Sequence, residues 1–145
     1  MGEGWKALAI FINKEKIMNN FVYEYTDKNG ETKTLKLRLK SGDAIEIENT
    51  KKKSILEYLQ EESMSMVVTL LRYLMKYENP NFSFQNAQTL YDELIDSGMT
   101  MKSILSDIIY ESLIVSGFLE RKEWEEMKAY INKMKEQAIK SMLQN

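Results

Sequence analysis

The stretch that decides the predicted fold is SGMTMKSILSDIIYESLIVSGFL, residues 97–119. Its apolar side chains recur every three or four residues, which is the spacing of one face of an amphipathic helix. They are Met101, Ile104, Leu105, Ile108, Ile109, Leu113, Ile114 and Val115, with Tyr110 beside them. A helix with so wide an apolar face needs neighbours on most sides, and we therefore expect the rest of the chain to pack around it.

Two glycines flank this stretch and predict where helices end. Gly117 fits the left-handed residue just past a helix end, and Phe118 would then fold back on Leu113, as in a Schellman motif. Gly98 is expected to end the preceding helix in the same way, with Met99 as the residue that folds back.

The composition favours one small helical domain and excludes several kinds of chemistry. The 145 residues are 43% hydrophobic, which is enough to bury a core, and they include one proline and six glycines. Cysteine and histidine are absent, which excludes thiolate chemistry and removes the commonest catalytic base and metal ligand. The net charge of −2, with both signs interspersed, is not typical of a nucleic-acid-binding chain. The ten methionines suit either core filling or an adaptable binding surface.

Residues 20–39 predict a β-hairpin, because FVYEY and TLKLRL alternate apolar and polar side chains around an Asn-Gly turn. A two-residue loop would place Tyr23 opposite Lys36. A three-residue loop ending at Gly30 places Tyr23 opposite Leu35 instead, so that the apolar sets of both strands share one side. We therefore predict a type I turn closed by a bulge, with Gly30 in the left-handed conformation.

Basic residues follow the second strand, and two interpretations of them stay open. The outer face is expected to carry Lys33, Lys36, Arg38 and Lys40, and Lys51, Lys52 and Lys53 come soon after. They fit either a solvated strand face with a charged turn or a patch that binds acidic ligands or nucleic acid. No aromatic residue interleaves with them as a stacking platform for bases requires.

Four helices are predicted between the hairpin and the organising helix. Ser41 is expected to cap a short helix over DAIEIEN, a stretch that also fits a strand. Ser54 and Glu57 fit a capping box for the next helix. A third helix is predicted over residues 65–77, and Ser83 is expected to cap a fourth. The predicted fold class is mainly α: a small bundle of about five to six helices with an N-terminal β-hairpin.

The two ends of the chain are predicted to be separate from this core. We divide the chain into an amphipathic arm, residues 1–17, a core domain, residues 18–119, and a long C-terminal helix, residues 120–145. The arm carries an apolar side formed by Trp5, Leu8 and Phe11, and it would pack either on the body or on a neighbouring subunit.

The long last helix carries a narrow apolar seam whose spacing alternates between three and four residues. The seam consists of Trp124, Met127, Ile131, Met134 and Ala138. This spacing is that of a coiled coil or of a helix laid in a groove. The seam would pack either on the protein's own bundle or on another chain.

No catalytic, cofactor-binding or metal-binding residues are predicted. The chain has no Gly-rich phosphate loop, no oxygen-rich calcium loop and no nucleophile with a base in a plausible pocket. The carboxylate pairs Asp43 with Glu46 and Asp92 with Asp96 lie on amphipathic helices, where solvated faces are expected. The longest N-terminal apolar run, residues 7–12, is too short for a signal peptide core or a membrane span. We expect a cytoplasmic protein that is not an enzyme.

Two stretches in this order resemble the tail assembly chaperones of long-tailed (siphovirus-type) phages and prophages of Gram-positive bacteria. They are TLKLRLKSGDAIEIE, a strand followed by a short helix, and FSFQNAQTLYDELIDSGMTMKSILSDIIYESLIVSGFL, an acidic helix, a glycine stop and an apolar helix. The resemblance covers residues 34–119. It implies a protein without enzymatic activity or cofactors that coats the tape measure protein in the host cytoplasm and recruits tail tube protein subunits. It also implies self-association as a homo-oligomer, with no nucleic acid or membrane as partner.

The surface for the partner or for self-association is expected at the two ends of the chain. The candidate residues are Trp124, Met127, Ile131 and Met134 of the seam and Trp5, Leu8 and Phe11 of the arm. Two other functions stay open. One is a small helical adaptor that uses its last helix to bind a protein. The other is a regulatory module that binds nucleic acid through its lysines, with an affinity that falls steeply as salt rises.

Overall fold

The computed structural model describes residues 19–144. It is mainly helical, with six helices following an N-terminal two-stranded antiparallel hairpin, and this confirms the predicted fold class. The elements are β1 (Phe21–Thr26), β2 (Thr32–Leu37), α1 (Ser41–Lys51), α2 (Ile55–Leu59), α3 (Met64–Met75), α4 (Phe84–Asp96), α5 (101–115) and α6 (Arg121–Gln144). No helix within the described residues is both long and apolar enough to cross a membrane.

The hairpin has the predicted register and turn. Tyr23 lies opposite Leu35. The backbone N–H of Asp27 donates to the carbonyl of Glu31 at 2.8 Å, which closes a three-residue loop. Gly30 has a φ of 85°, the left-handed conformation that the bulge requires. The alternation of apolar side chains therefore determines both the pairing of the strands and the length of the turn.

The position of Lys33 corrects one sequence prediction. Lys33 pairs with Tyr25 across the hairpin, so it lies on the apolar side with Leu35 and not on the outer face. Its ammonium forms ion pairs with Glu93 of α4 and with Asp27. The side chain therefore joins the hairpin to α4 and does not belong to an exposed basic face.

The stretch after β2 is helical, as predicted, but its cap differs. α1 begins at Ser41, and the residue before its first turn is Lys40 in an extended conformation, with no side-chain capping bond. Ser41 is therefore inside the helix and does not cap it. Ala44 and Ile47 are the buried residues of α1.

Serine hydroxyls start the next three helices. Ser54, Ser63 and Ser83 each accept a hydrogen bond from the backbone N–H three residues on, at 3.2, 3.1 and 3.0 Å. The Ser54 and Ser83 caps are as predicted, whereas α3 begins slightly earlier than predicted because Ser63 caps it. The capping box predicted at Ser54 is incomplete, because the Glu57 side chain returns no hydrogen bond to the Ser54 backbone. Among the described helices the reciprocal bond occurs at Ser83, where Asn86 returns it, and at Thr100, where Ser103 returns it.

α5 lies at the centre of the core and ends as predicted. It is continuous over three segments, Met101–Ile104, a π-helical stretch Leu105–Tyr110, and Glu111–Val115. The backbone N–H of Phe118 donates to the carbonyl of Leu113 at 2.9 Å, and Gly117 has a φ of 90°. Gly98, with a φ of 110°, ends α4 in the same way.

The core is formed mainly by α3, α4, α5 and the inner side of the hairpin. Side chains with no exposed surface come from both α3 and α5. They include Met66, Leu70, Leu71, Leu74, Ile104, Ile108, Ile109 and Leu113. Ser116 ties the end of α5 to the end of the hairpin, because its hydroxyl accepts from the backbone N–H of Leu39 at 2.9 Å. These contacts hold α5 in place, and its first half forms one wall of the surface described next.

Candidate protein-docking groove

α6 is attached to the body by a single buried side chain. Trp124 is only 5% exposed, and it is the one buried residue of α6. Its ring packs on that of Tyr110 of α5, with centroids 4.2 Å apart and planes inclined at 52°. Arg121 adds an ion pair with Glu111 at 2.7 Å. An aromatic pair of this kind contributes about 0.5–1.5 kcal/mol beyond the burial of the ring, so Trp124 anchors α6 on the body.

Beyond Trp124, α6 exposes an apolar stripe. Every residue from 129 to 144 is exposed. Met127 is 49% exposed, Ile131 37% and Met134 48%. Met142 continues the stripe, whereas the exposed Tyr130, Ile139 and Leu143 lie to the sides of it. Within the described residues, therefore, the seam past Trp124 has no partner, and the helix alone does not bury its apolar side chains.

A groove of about 300 Å³ lies where α6 leaves the body. One wall comes from the first half of α5 and the other from α6. The apolar lining is formed by Met101, Leu105, Tyr110, Trp124, Met127 and Ile131. The groove is open to solvent and most of its lining is apolar, which are features that protein-binding grooves share.

Lysines dominate the charges of the groove. Lys102 lies on the α5 side, Lys128 and Lys135 lie on the α6 side, and Glu62 is the one carboxylate among the described lining residues. Lys128 pairs with Glu125 at 3.0 Å and its ammonium lies 5.3 Å from the centre of the Trp124 ring. Within residues 19–144, Lys102 and Lys135 form no ion pair. The groove is thus apolar inside and positive at its rim.

Two polar atoms in the groove wall are relevant to binding. The indole N–H of Trp124 is buried and has no hydrogen-bond acceptor in the described part of the chain. Burial, with a smaller contribution from Glu62, raises the pKa of Tyr110. A buried donor without an acceptor, such as the Trp124 indole, is costly.

A second polar cluster lies between the hairpin and α4. The phenol of Tyr25 donates to Glu93 at 2.9 Å, and Lys33 pairs with both Glu93 and Asp27. The cluster raises the pKa of Tyr25 to about 12, mainly through burial and then through the bond to Glu93. The Lys33 ammonium holds the pKa of Glu93 below its usual value. Asp27 accepts from the backbone N–H of Glu31, which lowers its pKa as well. The charged and polar groups of this cluster are paired with one another, and we therefore assign the cluster a structural role.

Three of the other basic residues singled out in the sequence make contacts with the body. The ammonium of Lys40 lies 5.6 Å from the centre of the Tyr77 ring, and that of Lys51 lies 5.6 Å from the Tyr58 ring. Lys53 pairs with Glu61 at 2.5 Å. These contacts hold the lysines against the body, and they do not form a single basic face together with Lys33.

One carboxylate of each pair considered for chemistry forms an ion pair. Asp43 pairs with Lys76 at 3.3 Å, and Asp96 pairs with Lys28 at 3.7 Å. Within the described residues no group of three or more acidic side chains is placed to hold a metal ion.

The structure places the predicted surface residues in three settings. Trp124 is buried as the anchor of α6, whereas Met127, Ile131 and Met134 are exposed. Trp5, Leu8 and Phe11 lie outside the described residues. Met127 and Ile131 line the groove, and Met134 continues the stripe beyond it.

Sequence reasoning missed the second wall of the groove. The α5 residues Met101, Lys102 and Leu105 line it. Met101 and Leu105 belong to the apolar band of the organising helix, and their spacing does not indicate that the start of this band faces α6. The one available signal is the charged Lys102 beside Met101, which predicts that this end of the band lies near the surface.

Comparisons with family models, with curated proteins and with solved structures return no match for this chain. Inferences about its function therefore depend on its surfaces and on the resemblance described above.

Proposed function

We propose that this chain is a phage tail assembly chaperone that binds the tape measure protein, keeps it soluble and recruits tail tube subunits. One observation carries the proposal: α6 exposes an apolar stripe along most of its length. A monomer in water gains nothing from such a stripe, and exposed apolar surface of this extent marks a site of protein interaction.

The chemistry of the stripe fits a long partner with repeated binding sites. Three methionines, Met127, Met134 and Met142, are among its exposed residues. Methionine is flexible and polarizable, so one stripe can pack against many similar apolar sequences. In the family that this chain resembles, the tape measure protein is long and helical, and it exposes apolar stripes until the tail tube encloses it. Many weak contacts of this kind would coat such a protein and still release it.

The rest of the proposal follows from the resemblance. The protein would act in the host cytoplasm, without catalysis and without a cofactor. Copies would associate with one another on the tape measure protein. Gene context gives an inexpensive check, because a long coiled-coil reading frame just downstream favours the chaperone.

The test is co-expression of the full chain with the tape measure protein of the same genome. We expect the tape measure protein to become soluble and to carry many copies of this chain, as measured by light scattering after size exclusion. A tape measure protein that stays insoluble beside a monomeric chain contradicts the proposal, and a helical adaptor with another protein partner becomes the better function.

A matched pair of variants tests whether the stripe is responsible. The double variant Ile131→Glu and Met134→Glu changes two exposed side chains of α6, so the fold is expected to persist. We expect it to lose most of the solubilised tape measure protein. Lys133→Glu also adds negative charge to the exposed part of α6, but between the stripe positions, and it should retain the activity. Equal loss in both variants would argue against an apolar contact.

A further inference from the structure

The groove between α5 and α6 differs from the rest of the exposed stripe because it has two walls. The stripe past Met134 lies on one helix alone, whereas Met101 and Leu105 face Met127 and Ile131 across the groove. A groove with two apolar walls is the form of site that receives the apolar face of a third helix.

We propose that this groove binds an amphipathic helix whose apolar stripe is flanked by acidic residues, and this inference rests on the proposed function because it names the partner's binding segment. The apolar stripe would lie between Leu105 and Ile131. Acidic residues on its two sides would meet Lys102 on one wall and Lys128 and Lys135 on the other.

The length of the groove sets the length of the partner segment. The α6 wall extends from Trp124 to Lys135. At a rise of about 1.5 Å per residue, that part of α6 is roughly 16 Å long, which corresponds to about three helical turns. A segment of about eleven residues would therefore fill the groove.

Charge disfavours the exposed end of α6 and the N-terminal arm as occupants. The part of α6 from Lys128 onward carries Lys128, Lys133, Lys135 and Lys140 against Glu136, so this part of a second copy would bring lysines to a lysine rim. The first part of α6 carries Glu123, Glu125 and Glu126, but its apolar residue Trp124 is already buried against Tyr110. The N-terminal arm carries Lys6, Lys14 and Lys16 against Glu3 and Glu15, so it too is slightly positive. α4 has acidic residues, but its apolar residues Leu90 and Leu94 are already buried in the core.

The test uses two labelled model peptides of fourteen residues and the full chain. Both peptides carry leucine at a helical spacing of three and four with alanine elsewhere, and the flanking positions are glutamate in one and lysine in the other. Fluorescence anisotropy at low salt gives the two affinities. We expect the acidic peptide to bind about tenfold more tightly, with a gap that shrinks as salt screens the exposed charges.

The decisive measurement is peptide binding to a variant in which two lysines of the groove are replaced by glutamate. In the variant Lys102→Glu with Lys135→Glu, we expect the preference to invert, so that the basic peptide binds more tightly than the acidic one. Lys133→Glu makes the same change of charge on α6 but does not line the groove, and it should change either affinity by less than about twofold. Circular dichroism of each variant checks that the fold is unchanged.

Several results would overturn the inference. They are equal binding of the two peptides, a preference that the double reversal leaves unchanged, or binding of a twenty-base-pair DNA duplex where neither peptide binds. Solubilisation of the tape measure protein by the double-reversal variant separates the two proposals. If that variant still solubilises it while the peptides show no preference, the chaperone function stands and the acidic-helix site does not.

Discussion

α5 and α6 are both helices with apolar faces, yet one is buried and the other is exposed. In α5, Ile104, Ile108, Ile109 and Leu113 have no exposed surface, and α5 packs against α3 and the hairpin. In α6, Trp124 alone is buried, and the apolar side chains that follow it remain in contact with water. The same type of residue therefore contributes to stability in one helix and is available for binding in the other.

The width of the apolar face explains the difference. The band of α5 includes adjacent pairs such as Ile104 with Leu105 and Ile108 with Ile109, so it presents apolar surface to neighbours on more than one side. The seam of α6 has single residues at alternating intervals of three and four, and this narrow stripe suits one partner helix. A wide band specifies a core, whereas a narrow stripe specifies an interface.

The largest effect should come from truncating matched isoleucines in the two helices. Ile108→Ala leaves a cavity in the core, and we expect the free energy of unfolding to fall by about 2–5 kcal/mol. Ile131→Ala removes similar atoms from a partly exposed position and should cost less than about 0.5 kcal/mol in the free chain. Urea unfolding measures both. Similar losses in the two variants would mean that α6 is covered in solution, for example by a second copy.

Truncation of the α6 anchor should have the next largest effect. Trp124→Ala removes the aromatic contact with Tyr110. We expect a loss of about 2 kcal/mol, below the usual range for a core tryptophan because one terminal helix is detached and the core is left intact. Far-UV circular dichroism should also fall, since an isolated helix of this length is only marginally stable in water. Unchanged helicity would show that α6 is held by contacts other than Trp124.

Much of the fold could be predicted from the sequence because local patterns determine it. The alternation in the hairpin determined its register, and Gly30, Gly98 and Gly117 have the left-handed conformations that their turns predicted. The orientation of Lys33 could also have been predicted, since it has the same parity as Leu35. The π-helical stretch Leu105–Tyr110 could not, because the packing around a helix selects such a shift of hydrogen bonds and no residue type signals it.

The α6 wall of the candidate groove could be predicted from the sequence, whereas the α5 wall could not, because it depends on the orientation of α6. The seam residues Met127 and Ile131 follow from helical spacing alone. The opposite wall, with Met101 and Leu105, depends on the angle at which α6 leaves the body after Gly117. That angle is a tertiary property, fixed by the contact between Trp124 and Tyr110, and sequence spacing does not contain it.

Substitution of Gly117, in the link between α5 and α6, should have a smaller effect on stability, and Gly42 provides a matched control. Gly117 has a φ of 90°, and an added Cβ would meet no atom within 4 Å. Gly117→Ala should therefore cost about 1–2 kcal/mol through backbone strain alone. Gly42 lies inside α1 and is equally uncrowded, so Gly42→Ala should instead stabilise by about 0.4–1 kcal/mol. If both variants lose stability on thermal unfolding, crowding and not backbone conformation is the cause.

The last effect is the dependence of the free energy of unfolding on pH, and it concerns the body of the protein and not α6. The pKa of Tyr25 is raised to about 12 from 10.0, so the folded state favours the protonated phenol. Its contribution is complete below pH 10 and is lost as the pH rises toward 12. The pKa of Lys33 is raised too, mainly by Glu93, so its contribution is lost in the same alkaline direction. The lowered pKa values of Asp27 and Glu93 give the opposite sign, with stability lost as the pH falls below their usual values of 3.8 and 4.5.

The variant Tyr25→Phe isolates the alkaline part of this dependence. We expect the free energy of unfolding of the unaltered chain to fall more steeply above pH 10 than that of the variant, as measured by urea titrations at successive pH values. The cluster joins β1 to α4, so the loss should appear in the cooperative unfolding of the body. Binding of the acidic peptide to the groove should not show this difference below the unfolding transition, because Tyr25 does not line the groove. If peptide binding followed the Tyr25 titration, the body and α6 would be coupled, and the division between a stabilising helix and a binding helix would fail.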